Sequence, residues 1–193
     1  MKAYLIPGSG EDLKSRNYQA VLNMYKQFGY EPHFVTIDWR YKTINDWVEQ
    51  VKSKISKREL ENSLLSGFSW GAMTSLVLAS EYINPKRLLL FSLSPYFAED
   101  IPSLKTWWLK RTGKRRTENF RRLSMVSLSV KIKCPTTIFV GSKEGKELNY
   151  RVNEAHKRIK NSKLILMNGV KHDVANPKYI EAIKKELVRK VRN

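Results

Sequence analysis

Gly67-Phe68-Ser69-Trp70-Gly71 reads Gly-x-Ser-x-Gly and joins an apolar run, Asn62 to Phe68, to a segment from Ala72 to Tyr82 rich in Ala, Leu, Met and Val. The first run has the character of a strand, the second that of a helix buried all round. A serine on a very tight strand-to-helix turn must adopt a strained backbone, and glycines two residues to either side remove side chains that would collide there. Its hydroxyl is then pushed out at the end of the strand. As a bare string the motif recurs by chance, so the flanking chain has to supply the alternation of strand and helix that gives it meaning.

Toward the N-terminus that alternation is present. Ala3 to Pro7 is a short apolar run that meets Gly8-Ser9-Gly10, and Leu13 to Phe28 carries Tyr18, Val21, Leu22, Tyr25 and Phe28 at helical spacing before Gly29 stops it. His33 to Asp38 is strand-like, and Ile44, Trp47, Val48, Val51 and Ile55 mark one face of a helix capped by Thr43 or Asn45. Toward the C-terminus, Arg87 to Leu93 and Thr136 to Val140 are continuous apolar runs suited to strands covered on both faces. Tyr150 to Ile159 reads as a polar helix, Leu164 to Met167 as a last strand, and Pro177 to Val191 as a closing amphipathic helix. The expected architecture is α/β: a three-layer α/β/α sandwich around a mostly parallel six-stranded sheet, built as a single domain over residues 1–193. Right-handed crossovers place the carboxyl ends of the strands along one rim, which Ser9, Ser69, Glu144 and His172 would share.

One segment interrupts the pattern. Between about residues 95 and 133 the chain is predicted to form a basic insertion placed like a cap or lid over that rim. From Ser103 to Lys133 it holds ten Lys or Arg and one acidic residue, half of the formal net charge of +18. Leu104, Trp107 and Trp108 form one helical face and Phe120 with Leu123 another, with Gly113 between them. Trp107, Trp108 and Phe120 are the candidate substrate contacts. Such a field attracts anions, whether nucleic acid, anionic lipid or an acidic substrate, unless it is only a lysine-rich surface.

The remaining composition narrows the class. Hydrophobic residues make up 41% and aromatics 11%, too much core material for a disordered chain, and no stretch approaches the roughly 20 apolar residues of a membrane span. The N-terminal Met1 to Gly8 reaches a glycine loop before any signal-peptide core develops, so a cytoplasmic protein is expected. The single cysteine, Cys134, excludes an internal disulfide and a cysteine-only metal cluster.

A nucleophilic serine needs a base, and three histidines are available. His33 opens a strand and His156 lies in a polar helix, so both read as structural or solvated. His172, in Asn168-Gly169-Val170-Lys171-His172 just after the last strand, is the candidate base. Glu144, at the turn Gly141-Ser142-Lys143-Glu144, is the candidate acid, with Glu147 and Asp100 as competitors and Asp173 a local turn or cap. An oxyanion hole needs backbone N–H donors, and Trp70 and Ser9 are the candidates, one after the nucleophile and one in the first glycine loop. No Gly-x-Gly-x-x-Gly or Walker lysine marks that loop as a phosphate cradle, and no metal constellation is visible.

The order Ser69, Glu144, His172, each after a strand, with a glycine loop after the first strand, resembles the α/β-hydrolase superfamily. The resemblance implies a sheet lacking the first two strands of larger members, as in small single-domain serine esterases, and a reaction that needs no cofactor. Two departures stand out: Pro7-Gly8 replaces the usual His-Gly of the oxyanion loop, and the acid is Glu rather than Asp. Relatives acting on haloalkanes or epoxides carry Asp at the elbow, so Ser69 implies acyl chemistry on a small-molecule ester or thioester, less often an amide, with peroxidase and lyase relatives still open. A reading from another class makes the chain a basic binding module, with Arg115, Arg116, Arg121 and Arg122 gripping nucleic acid or an anionic membrane beside Trp107, Trp108 and Phe120.

Overall fold

Residues 1–15 and 18–189 are described by the computed structural model. The strands are β1 (Lys2–Ile6), β2 (Glu31–Phe34), β3 (Leu64–Phe68), β4 (Arg87–Phe91), β5 (Thr136–Gly141) and β6 (Ser162–Met167). They form one sheet in the order β2-β1-β3-β4-β5-β6, every neighbouring pair parallel. The runs read as doubly covered are the central strands: every residue of β3, β4 and β5 is buried. The edge strands are only partly covered. The strand expected over His33 to Asp38 is shifted toward the N-terminus. Pro32 has no N–H to give a ladder, which the edge position of β2 tolerates; the N–H of Val35 makes one last bond to the carbonyl of Leu5 at 2.9 Å, after which the chain leaves the sheet.

Helices cover both faces. On one side α1 (Tyr18–Gln27) and α9 (Pro177–Arg189) pack Tyr18, Val21, Tyr25, Tyr179 and Ile183 against Leu5, Phe68, Phe91 and Phe139. On the other, α2 (Ile44–Lys54), α4 (Trp70–Glu81) and α8 (Lys146–Arg158) bury Trp47, Leu76 and Val152 against Ile6, Leu65, Leu90 and Ile138. Arg16 and Asn17, within the expected first helix, and Lys190 and Val191, expected to end the last, lie outside the described residues. Thr43 is the N-cap of α2, its backbone N–H donating to Asp46 at 2.7 Å. A short helix that periodicity could not show, α3 (Lys57–Glu61), follows, with Ser56 and Glu59 forming a reciprocal capping box. No helix among the described residues is long and apolar enough to cross a membrane.

Between β4 and β5 the chain forms a 3-10 turn at Ile101–Ser103 and three short helices, α5 (Thr106–Thr112), α6 (Lys114–Phe120) and α7 (Met125–Ser129). Gly113, at φ 88°, makes the corner between α5 and α6, as its place between the two apolar faces predicts. The segment is fastened to the loop before α2. Asn119 accepts from the N–H of Ile44 at 3.1 Å, Arg116 donates to the carbonyls of Trp39 and Lys42, and Arg115 donates to that of Tyr41 at 3.2 Å.

Candidate active site

The register of β1, β3 and β4 pairs Ile6 with Gly67 and Phe68 with Phe91, so the loop after β1 and the turn after β3 lie side by side. Ser69 occupies that turn at φ 57° and ψ −117°, a conformation that L-residues rarely adopt. Its neighbours must be glycine. A Cβ on Gly67 would lie 2.2 Å from the carbonyl oxygen of Gly71, and one on Gly71 would lie 2.3 Å from the carbonyl oxygens of Ile6 and Pro7. Behind the turn, every residue from Trp70 to Ala79 is buried, which pins the start of α4.

Ser69, His172 and Glu144 come together. Ser69 Oγ lies 3.1 Å from His172 Nε2, and His172 Nδ1 lies 2.7 Å from Glu144 Oε2. A carboxylate has no proton to offer, so Nδ1 donates to it and Nε2 of the neutral ring accepts from the serine hydroxyl. The Glu144 side chain is fully covered, whereas that of His172 is 34% exposed toward the cleft. Glu144 Oε1 accepts from the N–H of Gly141 at 2.6 Å and from Ser92 Oγ at 2.9 Å. These bonds fix the carboxylate, and Phe68 lies against the imidazole with ring centres 4.6 Å apart. Gly141 meets the His172 loop closely: a Cβ there would lie 2.3 Å from the carbonyl oxygen of Val170.

The competitors lie elsewhere. Asp100 is buried and gripped by both Nε and Nη2 of Arg151 while accepting from the N–H of Phe97. Glu147 lies in the first turn of α8. Asp173 bonds the N–H of Ala175 in its own turn. His33 pairs with Glu31 on the edge strand and His156 with Ser162.

A cleft of about 570 Å³ opens over Ser69. Ser9, Trp70, Trp107, Trp108, Arg111 and Arg116 are among its lining residues. Trp107 is 56% exposed. Phe120, expected as a substrate contact, is instead fully buried beneath Trp70, packed on Trp47, Trp70 and Tyr96. It supports the cleft floor and does not line it. In the first glycine loop, the N–H of Gly8 is taken by Tyr18 Oη at 2.9 Å and Glu11 Oε2 at 3.0 Å.

Two serines at this site escaped the sequence reading. Ser92 holds Glu144, and Ser94 Oγ lies 3.1 Å from Ser69 Oγ. Both follow β4 in Ser92-Leu93-Ser94, on the rim where alternation already placed other polar residues; that position was the available signal. Ser92 also takes a positive φ of 52°. Among the described residues no group of three or more His, Cys, Asp or Glu could hold a metal ion.

No protein-family model and no curated protein sequence matches the chain. Solved structures do. Est1E from Butyrivibrio proteoclasticus superimposes with a TM-score of 0.82 at 16% identity, covering 100% of this chain and 90% of that one. Alpha/beta hydrolase domain-containing protein 10 from mouse gives 0.79 at 14% identity over 99% and 89%. Bromoperoxidase from Bacillus anthracis gives 0.71 at 17% identity over 100% and 93%.

Proposed function

We propose that this chain, which has the α/β-hydrolase fold, is a serine hydrolase that cleaves an ester or thioester through an acyl-enzyme. The observation that carries the reading is the continuous hydrogen-bonded line from Ser69 Oγ through both ring nitrogens of His172 to the covered carboxylate of Glu144. Ser69 Oγ attacks the acyl carbonyl and passes its proton to His172 Nε2. Glu144 keeps the ring in the required tautomer and stabilises the imidazolium without taking its proton. His172 then returns the proton to the departing oxygen or sulfur. The C–O or C–S bond breaks, leaving the acyl group on Ser69. A water molecule, deprotonated by His172, attacks in turn and releases a carboxylic acid.

The negative charge that forms on the carbonyl oxygen is assigned to the N–H groups of Trp70 and Ser9. Trp70 is the first residue of α4, where an N–H has no partner within its helix and the helix dipole favours negative charge. Ser9 lines the cleft beside Ser69. With no N–H on Pro7 and that of Gly8 occupied, Ser9 is the next donor the loop offers. Pro7 in place of His therefore leaves this role intact. The cap-like role of the segment between β4 and β5 belongs to the same proposal: Trp107 and Trp108 offer an apolar wall for the acyl group. Est1E binds ferulic acid, which recommends aromatic acyl esters among the first substrates to try.

The test is a panel of p-nitrophenyl esters of increasing acyl length with the Ser69→Ala variant alongside. Turnover by the wild type that falls about 10⁴-fold or more in the variant is expected. Equal turnover by the two proteins would end the proposal.

A further inference from the structure

A second cleft adjoins the first. About 510 Å³ in volume, it is lined by Arg40, Tyr41, Lys42, Lys114 and Arg115, and it shares Arg111, Thr112 and Arg116 with the cleft over Ser69. Six of its nine lining residues carry a permanent positive charge and none is acidic, so the groove is set apart from a surface of mixed charge. Most of that charge is uncompensated. Among the described residues no carboxylate comes within 4 Å of the cationic groups of Arg40, Lys42, Arg111, Lys114 or Arg116; Asp46, 3.9 Å from Arg115, is the one acid whose charge Arg115 and Lys42 share.

Two of the four guanidinium groups are also held in place. Arg116 donates to two backbone carbonyls and lies over the ring of Trp70, 5.3 Å from its centre, and Arg115 donates to a third carbonyl. Carbonyl acceptors orient a guanidinium without cancelling its charge, so the cost of ordering these side chains is already met before an anion arrives. The loop they hold is itself strained. Tyr41 sits at φ 55°, unusual for a bulky residue, and is 89% exposed at the groove.

We propose that this groove receives the leaving group of the substrate, and that the leaving group bears phosphate. The inference rests on the serine-hydrolase reading and names its substrate class: acyl thioesters or esters of a phosphorylated carrier. The apolar wall of Trp107 and Trp108 takes the acyl chain, the scissile carbonyl lies at Ser69, and the carrier runs past Arg111 and Arg116 into the cationic groove. Phosphate oxygens match the forked donors of arginine. The volume is that of a small-ligand site, which favours a carrier of nucleotide size over a membrane or a polynucleotide.

Two measurements test it. In the first, pyrophosphate and coenzyme A are titrated into the full-length Ser69→Ala protein at low salt, beside Arg40→Ala/Lys114→Ala and Lys185→Ala made in that background. Saturable binding, weakened about tenfold or more by the groove pair and by added salt and unchanged by Lys185→Ala, is expected. In the second, kcat/KM of the wild type is compared for a coenzyme A thioester and the N-acetylcysteamine thioester of the same acyl group. The phosphorylated substrate should be favoured by about tenfold or more, and the Arg40→Ala/Lys114→Ala pair should erase most of that ratio. Absence of saturable binding, or equal kcat/KM for the two thioesters, overturns the inference. So does tighter binding of a single-stranded oligonucleotide or of phosphatidylglycerol vesicles with no bias between the thioesters, which would assign the groove to a macromolecule. Failure of the hydrolase reading looks different: neither thioester is turned over, while the titration still reports on the groove.

Discussion

Glu144 and Glu186 are two buried carboxylates at opposite ends of the same sheet, and their partners differ in kind. Glu186 meets the amino ends of the strands: Arg87 opens β4, Thr137 donates at 3.0 Å from β5, and Lys163 donates at 2.6 Å from β6. Two of those partners are permanent cations. Glu144, at the carboxyl ends, has a backbone N–H, a serine hydroxyl and an imidazole. A carboxylate facing fixed charges can only hold a structure together, whereas one facing an imidazole can stabilise a charge that comes and goes. One end of the sheet thus holds fixed ion pairs and the other an imidazole–carboxylate pair, and it is the second that lies where ligand sites occur in parallel sheets, beyond the carboxyl ends of the strands.

The contrast can be broken by experiment, and the largest effects belong to the rim. Ser69→Ala should lower kcat/KM by about 10⁴-fold or more while leaving the urea midpoint nearly unchanged. Glu144→Gln keeps an acceptor for Ser92 and Gly141 but loses the charge that balances the imidazolium; turnover should fall on the order of 10³-fold. If Glu144→Gln were fully active, the two glutamates would not differ in the way argued. Glu186→Gln should do the reverse. It leaves Arg87 buried without its counter-charge, at about 3 kcal/mol and a Tm lower by roughly 10 °C, with turnover per folded molecule unchanged.

A smaller effect separates the two ends by pH. Burial pushes the Glu186 carboxyl up, but Lys163, Arg87 and Thr137 together more than offset this and hold it below its ordinary value of 4.5. A group whose folded pKa is depressed adds stability above its unfolded pKa and loses it as pH falls through the folded one. The wild type should therefore weaken as the pH drops below 4.5, and Glu186→Gln should show a flatter acid limb in urea midpoints taken across that range. Smallest of all, Trp107→Ala should raise KM for long-chain esters a few-fold with kcat little changed, because an exposed ring on the cleft wall contributes binding and no chemistry.

How much of this was legible in the sequence depends on how local the cause is. The central strands are continuous apolar runs, and α4 is apolar all round, so Leu64–Phe68, Arg87–Phe91 and Trp70–Glu81 could be read directly. Alternation gave a mostly parallel sheet, and the pairing is parallel throughout. The edge strand β2 ends earlier than its sequence suggests because apolar Val35 and Ile37 look like strand residues, and only tertiary context shows that the ladder with β1 closes with the bond from Val35 to Leu5. α8 begins at Lys146, ahead of Tyr150, because Gly145 at φ 98° sets the turn before it. The Ser56-Lys57-Arg58-Glu59 capping box was in plain view and would have announced α3.

At the site, position after a strand brought Ser69, Glu144 and His172 forward together, since rim geometry follows from topology alone. It could not assign Ser92 and Ser94, whose importance depends on which way a loop turns. Nor could it separate Trp107 and Trp108, at the cleft, from Phe120, buried under Trp70: aromatic residues at helical spacing look alike until the helix is docked.

The central claim is that Ser69 is the nucleophile and that His172 activates it. Treating the intact protein with a fluorophosphonate and mapping the adduct by mass spectrometry tests that claim most directly. A single adduct on Ser69, absent in Ser69→Ala and forming far more slowly in His172→Ala, is the result the account predicts. An adduct on another residue, or labelling of Ser69→Ala at the wild-type rate, would contradict it.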